Sequence, residues 1–196
     1  FAPDPASVKS AMVGGIVMNN ASGMNCGTHA NSDKELLSAK IVLADGTRLN
    51  TGDPESRTTF EKNHTPFLNK IIEIRDEIRN DNELSDRIRK KYSIKNVTGL
   101  NLLPFVIYDD PFDIIAHLMV GSEGTLAFLS EVTMKTEHDY PYSASAMLYF
   151  SNIKDACRAV VAMKPGPVFS AELLDKKSLA SVNDTTGTGL TAVLTE

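Results

Sequence analysis

The first stretch whose residues could do chemistry lies near the N-terminus and reads "SAMVGGIVMNNASGMNCGTHANS" (residues 10–32). It is rich in glycine and asparagine and contains no Lys, Arg, Asp or Glu. Glycine has no side chain and adopts positive φ at low cost, so the backbone at Gly14 and Gly15 could approach a ligand closely. Asn19, Asn20 and Ser22 add short hydrogen-bonding groups. Such a loop suits a phosphate or a polar ring edge, but a cluster of structural turns explains these residues equally well.

A second candidate stretch reads "GSEGTLAFLSEVT" and covers residues 121–133. The backbone from Gly124 to Leu126 could lie along a flat ring, while the alternative is a tight turn capped by Ser122 or Glu123. The first stretch is not a P-loop, because it lacks a lysine after its glycines, and it is not a G-x-G-x-x-G fingerprint. From the residues alone, binding loop and structural turn therefore stay open for both.

Composition excludes several classes of function. The chain has 196 residues, of which 42% are hydrophobic, enough for a core. With 20 Lys and Arg against 25 Asp and Glu, it has a formal net charge of −5 and no basic stripe, which argues against nucleic-acid binding. Cys26 and Cys157 show no metal-ligand spacing. No apolar run is long enough for a transmembrane helix, so we expect a soluble, cytoplasmic protein.

The elements that would position the two stretches can be predicted from periodicity. Asp4 and Pro5 are typical of a helix start, which predicts a helix that ends at the glycine pair. Residues 36–50 alternate apolar and polar side chains around Asp45 and Gly46, which predicts a hairpin with a two-residue turn. Its apolar face would carry four residues: Leu37, Ala39, Ile41 and Leu43.

Two helices and a further strand should complete this region. Phe67, Ile71, Ile74 and Ile78 recur at helical spacing after a helix start at residues 53–54, and a second helix should follow a break at residues 80–82. Residues 125–136 alternate and predict a strand. Its apolar face would carry four residues: Leu126, Phe128, Val132 and Met134. We expect this strand and the hairpin to share one sheet, because each has one apolar face that must meet the helices.

The pattern changes near residues 139–143, where we place a domain boundary. The following order is strand (144–150), helix (153–163), strand (168–174), short helix and strand (190–195). The predicted fold is therefore α/β (α+β), with an antiparallel sheet flanked by helices in residues 1–140 and the start of an α+β domain in residues 141–196.

Four blocks occur in order along the chain: "PDPASVKSAMVGGIVMNNASGMNCGT", "ADGTRL", "NVTGLNLL" and "MVGSEGTLAFLSEVTMKT". In this order they resemble the FAD-binding domain of flavin-dependent D-2-hydroxyacid dehydrogenases, the D-lactate and D-2-hydroxyglutarate group of the vanillyl-alcohol-oxidase-type flavoproteins. The resemblance is strongest to large bacterial members with a C-terminal iron-sulfur domain. Ala127 stands where the family usually has Gly, and Leu100 where many members have Tyr.

The resemblance implies FAD as the cofactor and two sets of cofactor-binding residues. The first set lies in the asparagine loop: Gly14, Gly15, Asn20, Ser22 and Gly23. The second set lies in the "GSEGT" turn: Glu123, Gly124, Thr125 and Leu126. In this family the first loop packs against the flavin and its pyrophosphate, and the second brings backbone to the isoalloxazine ring.

The resemblance also implies that this chain is a fragment. The other FAD-binding half would precede Phe1, and the substrate and metal site would follow Glu196, so no catalytic residue or metal ligand can be named here. The parent would oxidise a D-2-hydroxy acid, with iron-sulfur clusters outside this chain, an unidentified electron acceptor, and a location in the cytoplasm or at the membrane periphery. The alternatives are another FAD-fold oxidoreductase, of the ether-lipid synthase or aldonolactone oxidase type, and a non-flavin protein-interaction module.

The remaining reactive side chains have ordinary interpretations. The histidines share no spacing, so we expect surface or core roles for all four: His29, His64, His117 and His138. Cys26 has no cationic neighbour in sequence that would lower its pKa, so we expect it to be packed rather than reactive.

Overall fold

The computed structural model of the chain describes residues 1–96, 99–138 and 140–186, with the side chains of the last helix described up to residue 181. The chain divides into two compact units, Phe1–Asp139 and Tyr140–Glu196. The first unit contains these elements: α1 Val13–Asn19, α2 Ser32–Glu35, β1 Leu36–Val42, β2 Arg48–Asn50, α3 Pro54–Asn80, α4 Asn82–Lys91, α5 Leu103–Ile107, α6 Pro111–Leu118 and β3 Phe128–Met134. The second unit contains α7 Ile153–Met163 and α8 Lys176–Thr186. The predicted α/β class, with an antiparallel sheet flanked by helices, is confirmed.

The three strands form one antiparallel sheet in the order β2-β1-β3. Ile41 lies at its centre and pairs with Leu49 on β2 and with Leu129 on β3. The prediction that hairpin and strand share a sheet is confirmed. The hairpin turn is longer than predicted, because the Leu43 N–H donates to the Thr47 carbonyl at 2.8 Å and three residues lie between them. Gly46 has φ of 86° in this turn, a conformation that favours glycine.

Two β-bulges correct the predicted faces of the strands. The register between β1 and β3 is irregular at Leu36/Ser38 and again at Lys40/Ile41. Each extra residue shifts the alternation by one position. Leu37 is therefore exposed, and Leu129 is buried instead of Phe128, which is 69% exposed.

The predicted opening helix is wrong. Residues 5–11 form isolated turns, and Asp4 has φ of 33°, outside the extended region typical of an N-cap. The helix is instead α1, which begins at Val13 and contains the glycine pair in its first turn. Glycine disfavours helix, but Ile16 and Val17 are buried at 3% and 0% exposure, so tertiary packing outweighs the local preference.

The long helices begin and end as predicted, but the buried face of α3 differs from the prediction at Phe67, which is 40% exposed while Leu68 is buried. The Asp53 side chain caps α3 by accepting from the Glu55 N–H at 3.1 Å. Pro66 lies inside α3, and His64 has non-helical backbone angles there, because proline removes a helical hydrogen bond and clashes with the preceding turn. The predicted break is confirmed, since α3 ends at Asn80 and Asp81 caps α4.

The core of the first unit lies between the sheet and the helices. Its larger cluster joins Val17 of α1, Ile41 of β1, Phe60 of α3 and Ile115 of α6 to Leu129 of β3. A second cluster lies among α3, α4, α5 and α6. The asparagine loop and the second stretch thus follow the C-terminal ends of two packed helices, α1 and α6, which fixes their positions.

The second unit is described by itself. The helix predicted at residues 153–163 is confirmed as α7, whose Asn152 cap accepts from the Asp155 N–H at 2.9 Å. The strands predicted at residues 144–150 and 168–174 are wrong, because neither segment pairs with another strand in the described part of the chain. The strand predicted at residues 190–195 falls outside the described residues.

None of the helices in the described ranges combines the length and apolar character needed to cross a bilayer.

Candidate functional site

The asparagine loop begins where α1 ends. Asn20 caps the helix in the left-handed conformation, with φ of 55°, which asparagine tolerates better than most residues. Its side-chain Nδ2 donates to the Asn96 carbonyl at 2.9 Å and lies 3.4 Å from an Asp33 carboxylate oxygen. Asn20 therefore ties three segments together, in addition to any contact with a ligand.

The "GSEGT" segment is a tight turn between α6 and β3. The Ser122 hydroxyl donates to the Met119 carbonyl at 2.8 Å, and the Thr125 hydroxyl donates to the Ser122 carbonyl at 2.6 Å. Glu123 and Gly124 both have positive φ, 53° and 74°. A positive φ at Glu123 is uncommon for a residue with a side chain, so neighbouring contacts must hold it there.

Those contacts come from the first stretch. The Glu123 N–H donates to the Met18 carbonyl at 3.0 Å, and the Asn19 side chain donates to a Glu123 carboxylate oxygen at 2.7 Å. The two stretches, about a hundred residues apart in sequence, are therefore in direct contact. Asn19 was not among the predicted site residues, although its place in the "MNNAS" block marked it as a neighbour of Asn20.

Open backbone surrounds this contact. A Cβ added at Gly15 or at Gly124 would meet no atom within 4 Å, and at Gly14 only the Leu129 carbonyl oxygen, at 3.6 Å. Leu126 is 40% exposed in the same turn. Bare backbone beside an apolar side chain suits the face of a flat ring, since nothing holds the ring off.

Gly23 has a different role. A Cβ at this position would overlap the backbone carbonyl of Asp4. The Gly23 N–H also donates to the Pro3 carbonyl at 2.8 Å. Here glycine is required because two backbone segments pass in contact, and this is true with or without a ligand.

A third segment, made of residues 92–96 and 99–101, lies against both stretches. The Lys95 ammonium donates to the Gly23 carbonyl at 2.7 Å, and a Cβ at Gly121 would lie 2.6 Å from the Gly99 carbonyl oxygen. The segment also borders a polar cavity of about 240 Å³. The cavity lining includes Asn20, Thr28, Asn31, Asp33, Lys34, Tyr92 and Asn101. Only the "NVTGLNLL" block signalled this segment in the sequence, and no residue of it was predicted to bind the cofactor.

Three polar atoms of the first stretch lack hydrogen-bond partners within the described residues. They are the Asn20 Oδ1 and the hydroxyl oxygens of Ser22 and Ser32, and all three are shielded from solvent. An unpaired buried polar atom costs about 1–3 kcal/mol. These atoms and the open glycine backbone fit a ligand that combines polar groups with a flat ring.

The reactive side chains take the ordinary roles expected of them. Cys26 is buried, and its thiol lies 3.1 Å from both the Gly23 carbonyl and the Asn31 side-chain oxygen. His117 is a core residue on α6. Its Nδ1 lies 2.8 Å from the Asp113 carbonyl, so this nitrogen carries the proton and Nε2 accepts from the Tyr108 hydroxyl at 3.0 Å. Burial lowers the pKa of His117 and raises the pKa of Tyr108.

Within the described ranges, no group of three or more His, Cys, Asp or Glu side chains is placed to hold a metal ion.

Known proteins resemble the chain in the same region. The FAD binding domain family matches residues 1–52. A D-lactate dehydrogenase of Archaeoglobus fulgidus is 25% identical over 181 residues, covering 91% of this chain and 29% of that protein. A D-2-hydroxyglutarate dehydrogenase of Haemophilus influenzae is 24% identical over 191 residues, covering 91% of this chain and 18% of that protein. The resemblance to flavin-dependent D-2-hydroxyacid dehydrogenases is confirmed.

A shorter match has higher identity. The mitochondrial D-lactate dehydrogenase [cytochrome] of Arabidopsis thaliana is 33% identical over 79 residues, which is 39% of this chain and 14% of that protein. The chain therefore spans between 14% and 29% of the length of these three relatives. No solved structure is significantly similar to it.

Proposed function

We propose that residues 1–196 are a section of an FAD-dependent dehydrogenase that oxidises a D-2-hydroxy acid, D-lactate or D-2-hydroxyglutarate, to the 2-oxo acid. The observation that carries this proposal is the contact between the two predicted cofactor segments, through Asn19 and Glu123, beside open glycine backbone. The names of the relatives support the hydroxyacid branch over the ether-lipid synthase and aldonolactone oxidase alternatives.

The residues of the two predicted cofactor segments would make different contributions to FAD binding. Gly14, Gly15 and Gly124 leave the space in which the flavin ring would pack, and Leu126 adds an apolar contact beside it. When bound, FAD supplies the hydride acceptor, which no amino-acid side chain can provide. Asn19 holds Glu123 in its positive φ and so keeps the backbone of the second turn close to the first loop.

Other cofactor contacts would come from the orphaned polar atoms. The Ser22 hydroxyl and the Asn20 Oδ1 would gain partners from polar groups of the cofactor, which offsets the cost of their burial. Thr125 uses its hydroxyl within the turn, so its proposed contact with the cofactor is through the backbone. Gly23 and Glu123 would position the loop rather than touch the ring, because both are already engaged with the chain itself.

The organisation of the whole protein is part of the proposal. Residues 1–140 would be the C-terminal part of the FAD-binding domain, and residues 141–196 the beginning of the substrate domain. The substrate-binding and catalytic groups, and iron-sulfur clusters that pass electrons to an unidentified acceptor, would lie outside residues 1–196. The resemblance to large bacterial enzymes supports this arrangement and a cytoplasmic location, with contact to the membrane through the acceptor.

Anaerobic reduction of the flavin by a chiral substrate tests the function. The full natural protein that carries residues 1–196 should purify with a visible flavin absorbance band. D-lactate or D-2-hydroxyglutarate should bleach this band, while the matched L-enantiomers should leave it unchanged. A flavin-free protein, or a flavin that neither D-acid reduces, contradicts the proposal.

A further inference from the structure

Lys95 holds an unusual position for a lysine. Its ammonium donates to the Gly23 carbonyl at 2.7 Å, across 72 residues of sequence. Lysines at other places in the chain pair with carboxylates: Lys34 with Asp33, Lys40 with Glu131 and Lys70 with Glu73. Among the residues that the structure describes, no carboxylate forms an ion pair with Lys95. A carbonyl occupies one of its three N–H donors and leaves the positive charge uncompensated.

Two features of the chain near the Lys95 ammonium suit a negatively charged ligand. Gly23 follows Ser22 directly, and the Ser22 hydroxyl is shielded from solvent without a partner in the described part of the chain. The first stretch, residues 10–32, contains no Lys or Arg. Lys95 therefore brings to this end of the loop the cation that the loop's own sequence lacks, at the carbonyl of the residue that follows Ser22.

The contact is not needed to hold Gly23. The Gly23 N–H already donates to the Pro3 carbonyl at 2.8 Å, and the Cys26 thiol lies 3.1 Å from the Gly23 carbonyl oxygen. Cys26 is buried and Lys95 is on the surface. Because Lys95 is exposed, water can replace its ammonium at the Gly23 carbonyl. Removing the ammonium should therefore cost the fold little, and a purely structural role explains Lys95 poorly.

We propose that Lys95 binds the diphosphate of FAD, together with the Ser22 hydroxyl. This inference rests on the proposed function and adds a residue that neither the family resemblance nor the comparisons assign. Lysine acts on phosphate as a point charge with several donors, and two N–H donors of Lys95 remain after the contact with Gly23. The residue thereby links the third segment, residues 92–96 and 99–101, to the cofactor.

The test compares two flavins that differ in their phosphates. FAD and riboflavin share the isoalloxazine ring, but riboflavin has no diphosphate. In the full natural protein, after its flavin has been removed, Lys95→Met should weaken FAD binding about 10-fold to 100-fold, the range for a hydrogen bond between charged groups. Riboflavin binding should not change. Quenching of flavin fluorescence measures both dissociation constants.

Matched variants separate charge from packing. Lys95→Arg keeps the charge and should retain FAD binding within a few-fold, while Lys70→Met removes an exposed lysine on α3 and should have no effect. Added salt should weaken FAD binding less in Lys95→Met than in the wild type, because the screened contact is already gone. If riboflavin binds too weakly to titrate, this salt comparison tests whether Lys95 contacts the diphosphate.

The outcomes are distinguishable from failure of the proposed function. If the wild type binds no FAD, the proposed function itself is wrong. If the wild type binds FAD and Lys95→Met binds it equally well, with the same salt dependence, the assignment of Lys95 is wrong. Equal weakening of FAD and riboflavin, with a lower melting temperature, would also overturn it, because that pattern indicates a structural contact with the loop.

Discussion

The two units of the chain differ in how much of their apolar surface is packed. In Phe1–Asp139 the sheet and the helices bury two apolar clusters. In the described residues of Tyr140–Glu196, Ala156 is the only buried apolar side chain, and Tyr149, Val161 and Leu174 are all more than half exposed. Both regions have clear periodic patterns in their sequences, so the pattern alone does not decide whether a core forms.

The difference shows which predicted elements depend only on residues that are close in sequence. α7 forms in the loosely packed unit because a helix satisfies its own backbone hydrogen bonds and Asn152 caps it. A strand needs a partner, and β1 finds one about 90 residues away in β3. Residues 144–150 and 168–174 are also rich in apolar residues but pair with nothing in the described ranges, so their predicted strands are not present.

The largest expected effect is a core truncation in the packed unit. Ile41→Ala removes a side chain that is 1% exposed at the centre of the sheet, and should lower the unfolding free energy by about 2–5 kcal/mol. Val161→Ala, on α7 at 71% exposure, should change it by less than about 0.5 kcal/mol. Urea denaturation measures both. Equal losses would show that the two units are packed alike.

A smaller contrast distinguishes two glycines of the first loop. Gly23→Ala places a Cβ against the Asp4 carbonyl and should destabilise the packed unit by about 1–3 kcal/mol through overpacking. Gly15→Ala points into open space within α1 and should stabilise the helix by up to about 1 kcal/mol. Thermal melting without added flavin tests the pair. A destabilising Gly15→Ala would mean that this position is filled by the chain itself.

The smallest expected effect is a pH dependence that belongs to the packed unit. Burial lowers the pKa of His117 below its usual 6.5, so below pH 6.5 the unfolded chain binds a proton that the folded chain does not. The contribution is fully present above pH 6.5 and is lost as pH falls towards and below the folded pKa. In urea titrations at stepwise lower pH, His117→Gln should lose less stability than the wild type over this range. Identical slopes would contradict the assignment.

The sequence predicted the parts of the fold that depend on neighbouring residues. The helix start at Asp53 and the break near residues 80–82 are both confirmed. The bulges that expose Leu37 and Phe128 were not, because they depend on the register between distant strands. The glycine pair predicts the end of a helix, but it lies inside α1 because Ile16 and Val17 are buried in the core.

For the site, the sequence identified both stretches but not how they interact. The family resemblance selected Gly15 and Glu123 from residue order alone. It did not indicate that Asn19 holds Glu123, or that Lys95 reaches Gly23, because these contacts span 104 and 72 residues. Side-chain contacts of this kind become visible only after the chain is folded.

The central claim is that the open backbone at Gly15 is where a flavin packs, and the flavin content of one variant tests it most directly. In the full natural protein, Gly15→Leu adds a side chain where no atom lies within 4 Å. It should retain almost no flavin and should melt at the temperature of the flavin-free wild type, because bound flavin itself raises the melting temperature. The wild type and Lys62→Leu, which adds the same side chain to an exposed position on α3, should both purify with about one flavin per chain, measured by visible absorbance after desalting. A Gly15→Leu protein that keeps its full flavin would contradict the account.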